Sequence, residues 1–305
     1  MAKSVFSAPQ FQTEEGAFAY VEASLWPNGP VCPHCGETTR IGRLNGKTTR
    51  PGLHKCYACK GQFTVRIGTI FEDSHLPLHL WLQVIHLICA SKKGIATRQI
   101  QRMLNCSMKT AWHLGHRIRL AMAPGTDSGP LGGEGKTVEA DETELARSRK
   151  TKRPAGFRRR THNPVVMSLV ERGGNIRSQL VDHRSVRAFV TEHVHEKSRL
   201  VTDKHPGYLH SDVASHESVD HSKFEWARGD VHTNTLEGFF SILKRGLIGT
   251  YQRVEQRHLH RYLAEFDFRQ NTRIKLGIND SQRADIALQG VKGKRLTYQT
   301  VGAEA

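Results

Sequence analysis

Two short knuckles constrain this chain more tightly than any other feature. CPHC at 32–35 and CYAC at 56–59 each hold a pair of thiols, and twenty residues separate Cys35 from Cys56. A Gly- and Lys-bearing hairpin of that length lets the second knuckle fold back onto the first. Four thiolates can then close around one Zn²⁺ at about 2.3 Å each. A redox site would need only one such pair; two knuckles, with Gly36 and Gly61 just beyond them, point to metal. Cys32, Cys35, Cys56 and Cys59 are therefore expected to form the structural zinc site of a ribbon. With every position filled by protein, no coordination site is left for catalysis, and the ribbon serves binding or architecture. Cys89 and Cys106 lie outside the pattern and are read as structural, in a reducing compartment.

Charge sets the partner. Against 29 acidic residues the chain carries 45 Lys and Arg, a formal net charge of +16 with its 18 histidines counted as neutral. A polyanion is the expected partner, nucleic acid ahead of membrane, because no lipidation motif or amphipathic basic helix dominates. The N-terminus lacks the apolar run of a signal peptide, and the greasiest stretch, 78–90, is too short to span a bilayer. A cytoplasmic, nucleoid-associated protein with no membrane contact is expected.

Periodicity predicts a packing helix over 13–25 and three helices between Pro77 and Met122, at about 78–91, 96–104 and 107–122. The turn between the last two, Asn105-Cys106-Ser107, is short enough for helix-turn-helix geometry. Lys109, Thr110 and His113 would then lie at the end that enters a DNA major groove. PGTDSGPLGGEG, 124–135, is the domain boundary.

Beyond it, TVEADETEL (137–145) alternates as a strand with Asp141 at its centre, a placement that needs a reason. Glu139 and Glu142 flank Asp141 but alternate to other faces, and neither is assigned a catalytic role. A hairpin over 163–183, a helix over 185–197 and an apolar strand ending in Asp203 follow. A late helix, 234–245, has Leu236, Phe239, Phe240 and Leu243 at helical spacing. At about 100° per residue, Glu237 and Lys244 share a face, with Asn234 close by. Farther on, Leu259, Tyr262, Leu263 and Phe266 form a core stripe from which Arg269 and Arg273 are expected to face outwards. Strands with acids in the first and fourth, then a late helix with the third, follow the order of an RNase H-like (integrase-type) α/β core. Phosphodiester chemistry by two hard divalent cations wants such an oxygen set, so Mg²⁺ or Mn²⁺ is expected at Asp141, Asp203 and Glu237. Asn234 is available for the third position too, and charge favours Glu237. Lys244 would hold a phosphate, and Arg245 lies beside it.

CPHC with CYACKGQF, KTAWHLGHRIR, VEADET, VTD followed by Tyr208, and above all HTNTLEGFFSILKRGLIGTY with HLHRYLAEFDFRQNTR resemble bacterial insertion-sequence transposases of the DDE type. The group resembled has an N-terminal zinc ribbon and an ISXO-like transposase domain. The resemblance implies metal-dependent cleavage and strand transfer at the inverted-repeat ends of an element, with no covalent protein intermediate, by a dimer or larger assembly on terminal and target DNA. RSRKTKRPAGFRRR, 147–160, carries eight basic residues and no acid. Lying between the first strand and the hairpin, it is expected to clamp phosphates, with Arg158, Arg159 and Arg160 as contacts.

The expected organisation is helix and zinc ribbon over 1–75, helix-turn-helix over 76–123, linker over 124–136, RNase H-like core over 137–278 and a weakly patterned tail over 279–305. Two rivals remain: a zinc-dependent DNA-binding regulator with an inert core, and a nuclease or resolvase that cuts without joining.

Overall fold

The structure, a computed structural model, describes residues 4–125, 129–145, 164–181, 185–208 and 212–297. The chain divides into two compact units, Met1–Ala123 with Gly277–Ala305, and Pro124–Leu276.

The first unit opens with α1 (Pro9–Gln12) and α2 (Glu14–Leu25). Thr13 starts α2 by accepting the Gly16 amide on its hydroxyl at 3.1 Å, and Glu14 and Glu15 sit in the first turn, where the helix dipole favours negative charge. Gly16 cannot be replaced cheaply, since a Cβ there would lie 2.5 Å from the Pro9 carbonyl oxygen. Strands β1 (Ile41–Arg43), β2 (His54–Cys56) and β3 (Gln62–Phe63) form an antiparallel sheet in that order. Buried Cys32, Cys56 and Phe63 pack there with Trp26, Ile41 and Ile67.

Three helices follow close to their predicted limits: α3 (Leu78–Ala90), α4 (Thr97–Leu104) and α5 (Met108–Met122). Trp81, Val84, Ile85 and Ile88 of α3 are buried, as their spacing predicts. Asn105 ends α4 in the left-handed region at φ 46°, one of the few side chains that tolerates it, and Ser107 caps α5 by accepting the Thr110 amide at 3.0 Å.

The second unit is built on a five-stranded sheet, order β6-β5-β4-β7-β8. Its strands are β4 (Thr137–Glu144), β5 (Val165–Glu171), β6 (Ile176–Val181), β7 (Arg199–Asp203) and β8 (Ser215–Val219), with α6 (Val186–His193) preceding β7. Strands β4, β5 and β6 pair antiparallel, while β7 and β8 run parallel to β4. On one face, Val166, Val170 and Ile176 pack against Leu236, Phe239, Phe240 and Leu243 of α7 (Asn234–Arg245) and Leu259, Tyr262, Leu263 and Phe266 of α8 (Gln256–Asn271). On the other, Val138, Ala140, Met167, Leu169 and Leu200 meet Val186, Phe189 and Val190 of α6, with Tyr208. Each Val, Leu, Ile, Met or Phe among them contributes roughly 1.5–3 kcal/mol on burial.

Three expectations change here. Helix α6 ends at His193 rather than near 197, and β8 is unforeseen because SHESV is polar with only Val219 buried, the pattern of an edge strand. Arg269, expected to face outwards, is 8% exposed and pairs one turn back with the fully buried Glu265, which also accepts the Tyr251 hydroxyl. Charge pairing inside a helix–sheet interface is invisible to an apolar count. The opposite edge, β6, is covered by polar side chains of α8. Asp267 accepts the Ser178 amide at 2.7 Å, and Asn271 both accepts the Ile176 amide (2.7 Å) and donates to its carbonyl (3.0 Å).

The chain then returns to the first unit as α9 (Asp280–Gln289), where a weakly patterned tail was expected. Asn279 and Gln282 form a capping box, and α9 packs on α3, α2 and α5. Arg283 donates to the Cys89 carbonyl at 2.8 Å, and Gly290 sits so close to Ala121 that a Cβ would lie 2.2 Å from its carbonyl oxygen. Among the described residues, no helix is long and apolar enough to cross a membrane.

Candidate active site and metal centre

The four ribbon thiols converge. The Cys32 and Cys59 sulfurs are 3.7 Å apart and those of Cys35 and Cys56 3.6 Å, while a tetrahedron of thiolates about 2.3 Å from its centre has edges near 3.8 Å. Each knuckle turns just after its second cysteine through a left-handed residue, Gly36 (φ 77°) and Lys60 (φ 65°). The backbone N–H of Cys59 leads the causes that lower the Cys56 thiol to about 7, whereas Cys35, despite the Glu37 backbone N–H, is pushed up to about 12 by burial and the neighbouring thiols. Donor type, spacing and closure therefore fit one structural zinc.

A second cluster forms at the carboxyl end of β4. The register Ala140↔Thr202 ends the pairing of β4 with β7, so Asp141 and Asp203 are the next residues along two adjacent parallel strands. Strands in a ladder run about 4.8 Å apart, which brings both side chains to one spot. Carboxylate oxygens of Asp141, Glu142 and Asp203 all lie within 4.8 Å of one another. Glu142 joins this group although the sequence assigned it no catalytic role. It does alternate away from Asp141, but its longer side chain reaches the cluster where β7 has ended, and it accepts the hydroxyl of buried Tyr208. His205 stands 3.7 Å from its other oxygen.

Electrostatics mark the cluster as short of positive charge. Burial, then the charge of Asp203, with Glu142 and Glu237 adding to them, pushes the Asp141 carboxyl up to about 7. Asp203 is raised for the same leading reason, burial, followed by the charge of Glu142. Its Oδ1 is buried with no hydrogen-bond partner, an acceptor that a hard cation would satisfy.

Helix α7 carries the remaining residues singled out from the sequence. Asn234 and Glu237 are exposed near its start, and Glu237 is outside the three-carboxylate group, although its charge acts on Asp141. Lys244 is half-buried and lines a cavity of about 680 Å³ with Glu144, Leu145 and Arg253. Arg245 is exposed and donates to the Ser241 carbonyl at 3.0 Å. In the first unit, Lys109 and Thr110 are exposed in the first turn of α5 and His113 is half-buried one turn on. Arg158, Arg159 and Arg160, with the rest of the basic stretch, lie outside the described residues.

What fixes α7 against the sheet is Glu139, which carried no assigned role in the sequence. It is wholly buried and accepts the Thr235 amide (3.0 Å), the Thr235 hydroxyl (2.9 Å) and Arg172 Nε (2.8 Å). Arg172 in turn donates to the His232 carbonyl at 2.9 Å, just ahead of α7, whose own N-cap Thr233 makes no side-chain cap. The Glu139 side chain does not alternate to another face, against the expectation from sequence: two residues before Asp141, it shares that residue's face of β4, and an acid on a covered face needs a donor set.

Residues 130–271 match the ISXO2-like transposase domain, and residues 12–62 match the transposase zinc-ribbon domain. The chain is also 26% identical over 285 residues to an uncharacterized protein in transposable element ISH50 of Halobacterium salinarum, covering 88% of this chain and 94% of that one. The ribbon match spans all four clustered cysteines, and the transposase match spans Asp141, Glu142, Asp203 and α7. With both domains present in that order, the chain belongs to the insertion-sequence transposases that carry an N-terminal zinc ribbon and an ISXO2-like transposase domain.

Proposed function

We propose that the protein cuts DNA at the inverted-repeat ends of its element and joins the freed ends to target DNA, with the Pro124–Leu276 unit as an RNase H-like catalytic core. The observation that carries this reading is the pair Asp141 and Asp203 at the ends of neighbouring parallel strands, with an unsatisfied buried oxygen on Asp203. The strand order, three antiparallel strands followed by two parallel ones, supports the RNase H-like assignment.

Asp141, Asp203 and Glu237 would hold Mg²⁺ or Mn²⁺, with Glu142 as a further oxygen donor and Asn234 as the alternative on α7. When bound, such ions activate the attacking hydroxyl or water and stabilise the leaving oxygen. The chain's own part is to lose the Asp141 proton, keep Glu142 aimed through Tyr208, and hold α7 against β4 through Glu139. Lys244 and Arg245 neutralise a phosphate, with Arg158, Arg159 and Arg160 extending the basic track. The zinc-holding ribbon and the α4–α5 pair, read as a helix-turn-helix with Lys109, Thr110 and His113 toward the groove, recognise the terminal repeats. A homodimer or larger assembly, in the cytoplasm on nucleoid DNA, would hold both ends.

Purified protein with Mg²⁺ and a labelled duplex bearing the element end tests this reading. Joined products support it. A product that is only nicked indicates a nuclease, and a shifted but intact duplex indicates a DNA-binding regulator.

A further inference from the structure

Phe224 is 82% exposed and Trp226, two residues on, 59% exposed. Both sit in the loop between β8 and α7, which leaves the sheet beside the acidic cluster, since Val219, the last residue of β8, is the register partner of Asp203. The loop is firmly tied. Asp220 accepts the Ser222 amide at 3.1 Å and Lys204 Nζ at 3.0 Å, Lys204 being the residue after Asp203. Glu225 turns back to accept the Asp220 amide (3.1 Å) and Arg228 (3.1 Å), and Arg228 also reaches the Ser218 carbonyl at 3.2 Å. With Glu225 directed inward, the aromatics on either side of it are left outward. Phe224 is moreover held at φ 60°, a left-handed conformation that a bulky side chain adopts only under constraint from its surroundings. The His221 ring lies 4.8 Å from that of Trp226, at 34° between planes, and backs it.

We propose that Phe224 and Trp226 form a stacking platform for an unpaired base of the DNA strand whose phosphate is engaged at Asp141 and Asp203. This rests on the reading above that DNA is cut there. Aromatic faces take any base, but only one that has left the duplex stack, so the platform serves a strand opened next to the cleavage point. Exposed Lys223 is the residue before Phe224, while Lys204 and Arg228 of the same region are paired with Asp220 and Glu225. The chain's formal net charge of +16 suits a polyanion and opposes a second copy of the same chain.

The test is fluorescence anisotropy of the full chain, without added Mg²⁺, on a paired duplex and on the same duplex with unpaired thymines at one end. The wild type should prefer the opened duplex by roughly tenfold. Phe224→Ala with Trp226→Ala should bind both alike, at wild-type affinity for the paired form and with an unchanged melting curve, while Trp226→Phe keeps most of the preference. Equal binding of both duplexes by the wild type, or an unchanged preference in the double variant, overturns the platform alone. So does a DNA-free oligomer that the double variant cannot form, which would assign the face to a second copy. Binding of neither duplex would defeat the DNA reading itself and the platform with it.

Discussion

The backbone N–H of Thr235 donates to buried Glu139 at 3.0 Å, so the helix bearing Asn234 and Glu237 is fastened two residues before Asp141 on β4. Glu139 supplies from the sheet the cap that α7 lacks in its own sequence. Its replacement by Ala would strand the Thr235 amide and the Arg172 guanidinium. We expect a loss of roughly 3–5 kcal/mol in urea unfolding. Glu139→Gln, which keeps a single oxygen acceptor for the Thr235 amide and turns an NH2 toward Arg172, should recover part of that stability while weakening Mn²⁺ binding measured by calorimetry. Equal Mn²⁺ affinity in the Gln variant and the wild type would separate the clamp from the site.

Asp141→Asn should abolish cleavage, leave DNA binding nearly intact, and raise the melting temperature of the metal-free protein. The last effect follows from repulsion: Asp141 shares a desolvated spot with Asp203 and Glu142. Relief of that repulsion is worth on the order of 1 kcal/mol at pH 8. Differential scanning calorimetry with and without Mg²⁺ checks both parts, since the variant should also lose the stabilisation that Mg²⁺ gives the wild type.

The pH dependence has a definite sign. Asp141 and Asp267 are both pushed from 3.8 up to about 7, chiefly by burial. Between those limits the folded chain keeps protons that the unfolded chain has shed, so stability is greatest below about pH 4 in these two contributions and is lost as pH rises through about 7. Melting temperature of the metal-free protein against pH, compared with Asp267→Asn, measures the Asp267 share. Below pH 7 cation binding should release a proton from Asp141, and Mn²⁺ affinity should climb up to that pH and then flatten.

Zinc analysis should give one ion per chain, held by Cys32, Cys35, Cys56 and Cys59. Cys56→Ser, at a fully buried position, should lower the melting temperature and end-specific DNA binding together. A variant that retains both would show that the quartet is dispensable.

Elements with strong local periodicity are legible in the amino-acid order alone: α3, α5 and α7 fall within a residue or two of expectation, and the knuckles point directly to the thiol quartet. Asp141 is legible because a carboxylate at the centre of an alternating strand has few explanations. Glu142 is not, because its convergence depends on where the neighbouring β7 stops, which β4 does not encode. Helix α9 escapes for another reason: only Arg283, Ala287 and Leu288 of its residues are buried, too sparse a stripe to register, although the Asn279 and Gln282 box is there to be read.

The return of α9 to α3 has a consequence for synthesis. Translation completes the chemistry-bearing unit before it supplies α9, so the amino-terminal portion can close only after the whole of its neighbour has left the ribosome. A copy of the gene cut short ahead of α9 would thus encode a protein with its carboxylates in place and its amino-terminal half left unsealed.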